Sequence, residues 1–555
     1  MPQKKIIGLK TDPETQGLMI GWDEVIPPPP PPPPPPPERN SVDSSSGGDV
    51  EIIGTDITQD SDWLTEWGFD TSSKLQLNSY DYALTDDGIH WMGLATKKPG
   101  VAFPSASVYN DEGANADEHA SIMVVRMSAD GLTSDTWELE VNPQTIISFN
   151  YTTNVAWTRE CGSFSNVFMV TDGTNVWVAS LFYNGEQRWI SPNFENPDYD
   201  NTKLTFKIWC YNSETDNWDI VGQLDGLDWG VRQALTHVGN NSVQALNEGF
   251  GIDPEFRKID GIAHGGKAFF VWPEHYIDNN FGSPTASNPL DPTLHMICVN
   301  TSDTVWTTTL DSGSSYHSGY STRVKVAHNG TDVAVFIGRT KSSTFGDAGI
   351  YGTEINYSFI NSSDGTQTTQ QILDFAPLGI PLWWTTDYIP TNVQLWSHTY
   401  HPDSNADDEV DYFDLYAHVY VEAHDDTFPV VYRVKADGSG TLQFIENDPI
   451  AGGSLPTGEI GSDEPTTIVA DGLDVWAHNA YQYNSPIKHL DRECIHYFQE
   501  EYPDGGNETK WVSKHTFLKD NYLYGAIYYN YGLSSGDPLW TVQPVKIEIV
   551  SVPCS

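Results

Sequence analysis

The chain has 555 residues, well beyond the roughly 250 to 300 at which one hydrophobic core stops growing, so several modules or a repeat are expected. Asp and Glu number 76 against 28 Lys and Arg, which gives a formal charge of −48. Such a field repels phosphate backbones and anionic lipid surfaces. No run of about 18 apolar residues could span a bilayer. We therefore expect no nucleic-acid partner and no membrane insertion.

The composition predicts a folded, mainly β chain. Aromatic residues supply 12% of the sequence, which is more core material than a disordered acidic chain carries. The 46 Gly and 36 Pro indicate frequent turns between strand-forming segments. Five widely spaced cysteines without a C-x-x-C pair favour core thiols over a disulfide framework or a zinc ribbon.

The first 26 residues predict a docking peptide. They hold two apolar clusters around the turn-prone segment TDPETQG, and they are too few to bury a core alone. The clusters consist of Ile6, Ile7, Leu9, Leu18, Met19, Ile20 and Trp22. We expect them to dock onto another protein or to trimerise, the alternative being a disordered tail. The segment lacks the apolar stretch and cleavage site of a secretory signal, so export as part of an assembled particle is one expectation and an intracellular protein the other.

A stiff spacer follows this peptide. Residues 27–37 are eleven consecutive prolines, which form a polyproline II rod of roughly 34 Å. Residues 38–49 are polar and rich in Ser and Gly, which predicts a flexible hinge. Residues 50–555 then form the body. A proline run is also a ligand for aromatic-lined grooves of signalling domains, but basic residues are scarce around this one.

Two marks recur along the body. The first is a turn followed by an apolar strand, as in TDGTNVWVAS at Thr171 and HNGTDVAVFIG at His328, with further instances at residues 86, 264, 470 and 519. A seventh instance, at Tyr412, has the strand but a different turn. The second follows some 30 to 50 residues later and is a strand, a polar turn and another strand, as in MICVNTSDTVWTTTL. Four tryptophans fall at the matching place of the second mark: Trp137, Trp218, Trp306 and Trp511.

Two hairpins per unit make a four-stranded antiparallel sheet, and such sheets arranged radially are propeller blades. The marks resemble the β-propeller class over roughly residues 80 to 550, without matching a WD or kelch repeat. The resemblance implies an all-β fold, a β-propeller of about seven four-stranded antiparallel blades with long insertions. An early strand, DVEIIGTDI or KLQLNSYDY, is expected to complete the last blade. Tandem β-sandwiches are the alternative.

One acidic segment predicts a calcium loop. Oxygen-bearing side chains alternate in DSNADDEVDYFD, at Asp403, Asn405, Asp407, Glu409 and Asp411, which is the spacing of a wrapped calcium loop. It resembles the D-x-N-x-D loops of integrin-like propellers. It departs from the pattern at Asp408, where Gly is usual, and at Asp414, which is expected to lie already in the next strand. The alternative is an ordinary acidic surface loop.

Three long insertions crowded with aromatic and amide side chains predict a recognition surface, because aromatic faces stack on sugar rings while amides and carboxylates bond hydroxyls. The alternative is aromatic side chains packed over blade edges. The candidate contact residues for a glycan or a protein are Trp383, Trp384, Tyr388, Trp396, Arg188 and Trp189.

No catalytic motif supports an enzyme. The sequence holds no G-x-S-x-G, H-E-x-x-H or Walker A pattern, and 76 carboxylates do not single out a glycosidase pair. The order of docking peptide, proline rod and acidic β body resembles an appendage of a virion, such as a tailed bacteriophage from salty water. This resemblance implies a place on the virion surface, contacts with other virion proteins through the N-terminus, and decoration or host attachment. The alternatives are a polysaccharide-degrading propeller and a cellular adhesin or scaffold.

Overall fold

The structure is a computed structural model, and the residues it describes are 4–11, 18–24, 50–53, 76–97, 117–145, 157–160, 167–184, 186–189, 203–227, 260–274, 293–310, 323–341, 352–368, 371–374, 390–401, 412–421, 426–435, 443–446, 466–471, 474–479, 487–489, 495–496, 510–512, 517–520, 522–531 and 539–548. Contacts divide the chain into two compact units, residues 1–41 with Ser555 and residues 42–554. Over the described part, no helix is long and apolar enough to cross a membrane.

The first unit contains an antiparallel hairpin of β1 (Lys4–Thr11) and β2 (Leu18–Glu24). The two apolar clusters of the N-terminal peptide are therefore paired strands. Ile6 lies opposite Trp22 and Leu9 opposite Ile20, with a register shift next to Ile7. The docking role of these residues stays a prediction.

The second unit is built from consecutive antiparallel sheets. Sheet 1 contains β4 (Gln76–Leu84), β5 (His90–Lys97), β6 (Asp117–Met127) and β7 (Ser134–Thr145). Sheet 2 contains β9 (Val167–Thr171), β10 (Val176–Asn184), β12 (Lys203–Asn212) and β13 (Asn217–Leu227), and a separate pair is made by β8 (Trp157–Glu160) and β11 (Glu186–Trp189). Sheet 3 contains β14 (Asp260–His264), β15 (Lys267–Glu274), β16 (Thr293–Val299) and β17 (Thr304–Leu310).

Three more sheets follow in the same order of strands, and the last sheet has five strands. Sheet 4 contains β18 (Arg323–His328), β19 (Asp332–Lys341), β20 (Gly352–Asn361) and β21 (Gln371–Asp374). Sheet 5 contains β22 (Pro390–His401), β23 (Tyr412–Val421), β24 (Asp426–Lys435) and β25 (Gln443–Glu446). Sheet 6 contains β26 (Thr466–Asp471), β27 (Asp474–Asn479), β28 (Ile487–His489) and β29 (Ile495–His496). Sheet 7 contains β30 (Lys510–Val512), β31 (Phe517–Lys519), β32 (Tyr522–Tyr531), β33 (Leu539–Glu548) and β3 (Val50–Ile52).

The first strands of sheets 1 to 6 lie against one another in order, from β4 through β9, β14, β18 and β22 to β26. In sheet 7, β31 contacts β26 and β32 contacts β4. The inner strand β9 is buried on both faces, and its sequence is a continuous apolar run. Four of the five residues of β9 are buried, whereas β17, an outer strand, alternates between exposed and half-buried residues. The predicted all-β architecture of four-stranded antiparallel sheets is confirmed in sheets 1 to 6, where the first mark leads into the second strand. In sheet 7 it leads into β32, which pairs with β30, β31 and β33.

The structure corrects the predicted place of Trp511 and decides which early strand completes the last sheet. Trp511 does not match the other tryptophans: it lies in β30 and pairs with Tyr528 of β32, at the inner side of sheet 7, so the expected hairpin between Ile495 and Phe517 is divided between two sheets. Of the two candidates for the completing strand, DVEIIGTDI supplies β3, which pairs with β33. KLQLNSYDY supplies β4, the first strand of sheet 1.

Buried aspartates tie neighbouring sheets together. The carboxylate of Asp81 on β4 accepts a hydrogen bond from the backbone N–H of Met169 on β9, at 2.8 Å. The carboxylate of Asp260 on β14 accepts one from the N–H of Val326 on β18, also at 2.8 Å. Each aspartate therefore bonds the first strand of the following sheet, and the geometry repeats because both precede their hairpin turn by a similar interval.

Candidate binding site

The two ends of the sheets differ in the chain segments that they carry. In sheets 1 to 4, the first and second strands and the third and fourth strands are joined at one end, which we call the tight-turn end. Two residues join β14 to β15 and four join β12 to β13. The connections from second to third strands and from sheet to sheet leave from the opposite end, which we call the long-connection end. The chain thus provides one short, regular end and one end with long insertions.

Hydrogen bonds between successive turns make the tight-turn end a continuous structure. The backbone N–H of Asp86 donates to the carbonyl of Gly173 at 2.7 Å, and the N–H of Gly266 donates to the carboxylate of Asp172 at 2.7 Å. Burial raises the pKa of Asp172, but hydrogen bonds from Asn175, Gly266 and Thr174 outweigh this, and the pKa lies below its usual value. The turns of the first three sheets are therefore fixed to one another.

Glycine is required at the second of these turns. Gly173 has φ +91° and a β-carbon there would lie 2.4 Å from a carboxylate oxygen of Asp86. A side chain would be strained in the backbone and would also displace the neighbouring turn.

Tryptophan side chains add a second row of ties. The indole N–H of Trp137 donates to the carbonyl of Asp216 at 3.2 Å, and that of Trp306 donates to the carbonyl of Ser362 at 3.3 Å. In both cases the donor is on the fourth strand of one sheet and the acceptor is in the last turn of the next. At Trp137 and Trp306, the repeated tryptophan of the second mark therefore joins neighbouring sheets.

Arg126 fills an aromatic enclosure between sheets 1 and 2. Its guanidinium carbon lies 5.7, 5.1 and 5.4 Å from the ring centres of Trp91, Trp137 and Tyr211. It donates to the carboxylate of Asp135 at 2.7 Å and to the hydroxyl of Tyr211. Burial lowers the pKa of Arg126, but the hydrogen bond that it donates to Asp135 and the nearby charges raise the pKa overall. Because the guanidinium of Arg126 lies against these rings, the cluster stabilises the packing of sheet 1 on sheet 2.

A polar cleft of about 440 Å³ lies where sheet 7 meets sheet 1, at the tight-turn end. Its charged groups include Lys519 and Lys546, and Lys519 donates to the carbonyl of Asp86 at 2.6 Å. Its carboxylates are partly committed to their own turns. Asp87 accepts from the hydroxyl of Thr85 at 2.6 Å. The full lining is Ile53, Leu84, Asp86, Asp87, Gly88, His90, Ala129, Asp130, Lys519, Asp520, Tyr524 and Lys546.

The histidine of this cleft is held neutral. His90 is 2% exposed, and its Nδ1 lies 2.7 Å from the hydroxyl of Tyr82. Burial lowers the pKa of His90 to about 4, with a further lowering from the charge of Lys546 and an opposing hydrogen bond to the backbone of Ala129. Burial also raises the pKa of Tyr82 well above its usual value. Neither His90 nor Tyr82 is therefore suited to transfer a proton near neutral pH.

The structure locates some of the sequence-predicted contact residues. Arg188 and Trp189 lie in β11, where they pair with Thr158 and Trp157 of β8. Because β8 precedes sheet 2 and β11 joins its second and third strands, this pair belongs to the long-connection end. Trp157, opposite Trp189, was not among the predicted residues. Trp157 lies outside both repeated marks, so the sequence pattern did not indicate it.

Trp396 does not lie in a loop. The predicted insertion that contains it ends early, because residues 390–401 form β22, the first strand of sheet 5. The register shifts between Leu395 and Ser397, so Trp396 occupies a β-bulge. Bulges bend a strand and redirect a side chain. A strand with a bulge can therefore have a composition that resembles that of a loop. Trp383, Trp384 and Tyr388 lie outside the described residues.

The predicted calcium loop, with Asp403, Asn405, Asp407, Glu409 and Asp411, lies outside the described residues. Its flanking strands are described: β22 ends at His401 and β23 begins at Tyr412. Asp414 lies in β23, as expected, opposite Thr399 and Arg433. Among the residues that the structure describes, no three His, Cys, Asp or Glu side chains are grouped as a metal site would require.

These features define the class of protein: an all-β chain of consecutive four-stranded antiparallel sheets joined by buried ties. No family model matches the sequence, and no curated protein matches it. Solved structures with a similar fold include the β-propeller domain of the Trilobed protease from Pyrococcus furiosus, at 7% identity and a TM-score of 0.37, covering 87% of this chain and 97% of that one.

Two others are α-L-arabinofuranosidases. Arb93A from Fusarium graminearum is 9% identical with a TM-score of 0.33, and the alignment covers 91% of this chain and 98% of that one. The enzyme from Lactobacillus brevis is 12% identical with a TM-score of 0.25, covering 69% of this chain and 98% of that one. These likenesses concern the fold and carry nothing about activity.

Proposed function

We propose that the chain is a stalked, non-catalytic attachment protein, whose body is a β-propeller of seven blades. In this proposal the N-terminal hairpin docks onto a particle, the eleven prolines hold the body away from it, and the long-connection end contacts a host-surface glycan or protein. The particle is a virion of the tailed-bacteriophage kind. That part rests on the order of segments in the sequence, since the comparisons do not indicate a phage origin.

The observation that supports attachment is the asymmetry between the two sheet ends. Ties such as Asp172 to Gly266 immobilise the turns at one end, while the opposite end receives the aromatic-rich connections that precede β22 and follow β10 and β15. A rigid scaffold that carries variable connections at one end is the usual arrangement of binding proteins. The β8–β11 pair, with Trp157 opposite Trp189, is a described part of that end.

The test is a paired substitution at the long-connection end. We expect Trp383→Ala with Trp384→Ala to weaken binding of the full-length chain to marine bacterial cells and to a printed glycan panel by roughly tenfold or more, because buried aromatic rings dominate interfaces. The control is Leu132→Ala, which removes an 80% exposed apolar side chain from the turn between β6 and β7. This variant should bind like the unmodified chain.

Two results would contradict attachment. Absence of binding by the unmodified chain to every cell and glycan preparation would favour a purely decorative structural role. Release of reducing sugar from host polysaccharide would favour the glycoside-hydrolase alternative.

A bound calcium ion is a second, separate proposal. Carboxylates brought together in the segment from Asp403 to Asp411 repel one another unless a cation neutralises them. We expect a chelator to lower the melting temperature of the full chain, and Asp403→Ala with Asp407→Ala to remove that sensitivity. A melting curve that is identical with and without chelator would overturn this proposal.

A further inference from the structure

The polar cleft where sheet 7 meets sheet 1 has no part in the proposed attachment role, because it lies at the tight-turn end. Its volume of about 440 Å³ falls within the range of about 300 to 1,000 Å³ that is typical of small-molecule sites. Sheet 1 supplies Asp86, Asp87 and Asp130 to its lining, and sheet 7 supplies Lys519 and Lys546. A molecule bound in this cleft would therefore contact both sheets.

The polar groups of the cleft are sorted by depth. The four aspartates of the lining are exposed, whereas both lysines and Tyr524 are half-buried and His90 is buried. The ring centre of Tyr524 lies 6.0 Å from that of His90. The cleft thus has hydrogen-bond acceptors around its mouth, and it has donors and an aromatic ring further in.

Hydrogen bonds hold the walls of the cleft in place. The ammonium of Lys519 donates to the carbonyl of Asp86 at 2.6 Å, from one sheet to the other. The carboxylate of Asp130 accepts from the hydroxyl of Ser128 at 2.6 Å and from the N–H of Leu132 at 3.1 Å. An ammonium has three donors and a carboxylate about four lone-pair sites, so these bonds do not exhaust either group. The walls are therefore fixed and still able to bond a ligand.

The charges of the lining indicate a neutral ligand. Four carboxylates against two ammonium groups give a net charge of −2 in a chain of formal charge −48, which repels anions. The ammonium groups among the carboxylates oppose a metal cation. An apolar ligand would take the charged groups out of water without bonding them, which costs free energy. A ligand with several hydroxyls fits, because each hydroxyl can donate to a carboxylate and accept from an ammonium.

We propose that the polar cleft binds a neutral saccharide unit, whose hydroxyls bond Asp86, Asp520 and Lys519 and whose ring packs on Tyr524. Aromatic faces bury the apolar face of a sugar ring while polar groups fix its orientation. A zwitterionic amino acid is the competing ligand, but it makes no use of the aromatic ring. This site does not depend on the proposed attachment function, whose contacts lie at the long-connection end.

The experiment measures the binding of neutral sugars to the full-length chain by titration calorimetry. The probes are glucose, galactose, mannose, N-acetylglucosamine and cellobiose. We expect at least one of them to bind with a Kd of about 0.1 to 10 mM. The bound sugar should raise the melting temperature by about 1 °C or more, because it binds the folded state. It should also slow hydrogen exchange of the amides in residues 85–90 and 519–524.

Two variants test the assigned contacts. Asp86→Asn with Asp520→Asn removes two charges from the mouth, and Asn tolerates the positive φ of 53° at position 520. This variant should weaken sugar binding by about tenfold or more, since hydrogen bonds to an ionised acceptor are about twice as strong as neutral ones. Tyr524→Leu keeps an apolar side chain against the buried cluster beside it and should weaken binding by about fivefold or more. The matched control is Asp303→Asn, at an exposed carboxylate in the turn between β16 and β17, which should bind like the unmodified chain.

The proposal is overturned if none of these sugars binds, if glycine instead protects the same amides, or if both cleft variants bind sugar as the unmodified chain does. Sugar binding that Trp383→Ala with Trp384→Ala abolishes and the cleft variants leave unchanged would support the attachment surface and overturn this site. Sugar binding that only the cleft variants weaken would support this site, even if the chain binds no host surface.

Discussion

Replacing Asp260 by Ala is expected to lower the free energy of unfolding by about 3 to 5 kcal/mol, the range measured when one partner of a buried ion pair is removed. The carboxylate of Asp260 is 4% exposed and lies 3.2 Å from the ammonium nitrogen of Lys325, which is 14% exposed. It also accepts the N–H of Val326 at 2.8 Å. The substitution therefore removes an ion pair and a backbone acceptor between sheets 3 and 4 at once.

A double variant separates these two losses. Asp260→Ala with Lys325→Met removes the ammonium that the single variant leaves without this carboxylate, so it should recover part of the lost stability. Asp260→Asn retains an oxygen that can accept from the N–H of Val326. Its urea midpoint should therefore lie between those of the single and the double variant. The urea midpoint of the full chain is the measurement. Equal midpoints for the single and double variants would show that leaving the Lys325 ammonium without this carboxylate has no cost in stability.

The sequence predicted the sheets better than it predicted the site, for a physical reason. Each repeated mark combines a turn with an apolar strand, and both are visible over a few neighbouring residues: a glycine stands at the positive-φ position 173 of the turn, and β9 is a continuous apolar run. Local rules of this kind are visible in a single sequence.

The contacts between sheets, in contrast, join residues that are far apart in the sequence. Asp81 bonds a backbone group 88 positions away and Arg126 bonds Tyr211 across 85 positions. Nothing near either residue distinguishes it from the other charged residues of an acidic chain. The error at Trp511 has the same origin, since one hairpin-like stretch was divided between two sheets by pairings with distant strands. The candidate contact residues were chosen by loop composition, and Trp396 shows that a bulged inner strand can share that composition.

Stability should fall steeply between pH 6.5 and pH 4, before most carboxylates are protonated. Two buried histidines are responsible, His90 at the seam between sheets 7 and 1 and His328 between sheets 3 and 4. Burial is the main cause that lowers the pKa of each to about 4, against 6.5 for an unburied ring. His328 is 6% exposed, and the charges of His264 and Lys267 lower its pKa further.

The geometry of His328 explains why the folded state excludes the proton. Its Nδ1 accepts from the N–H of Gly330 at 2.9 Å, so that nitrogen carries no proton. Its Nε2 bonds the hydroxyl of Ser362 at 3.1 Å, and this hydroxyl in turn donates to the carbonyl of Thr331 at 2.7 Å. The ring stacks on His264 at 4.1 Å. Protonation at Nδ1 would set two donors against each other and place a charge beside His264 and Lys267.

The direction of the pH effect follows from these pKa values. Well above pH 6.5 neither state binds the proton, and the folded state keeps its full stability. As the pH falls toward 4, the unfolded chain binds protons that the folded chain does not, so stability is lost. At pH 5 the loss is about 2 kcal/mol for each ring. Urea midpoints at pH 7.5 and pH 5.0 measure it, and His90→Gln with His328→Gln should reduce the difference between the two midpoints by most of its size. Packing losses in this variant appear at both pH values and cancel in that difference. A double variant with the same pH dependence as the unmodified chain would overturn this prediction, since carboxylates with a lowered pKa, such as Asp172, lose their contribution only at more acidic pH than 5.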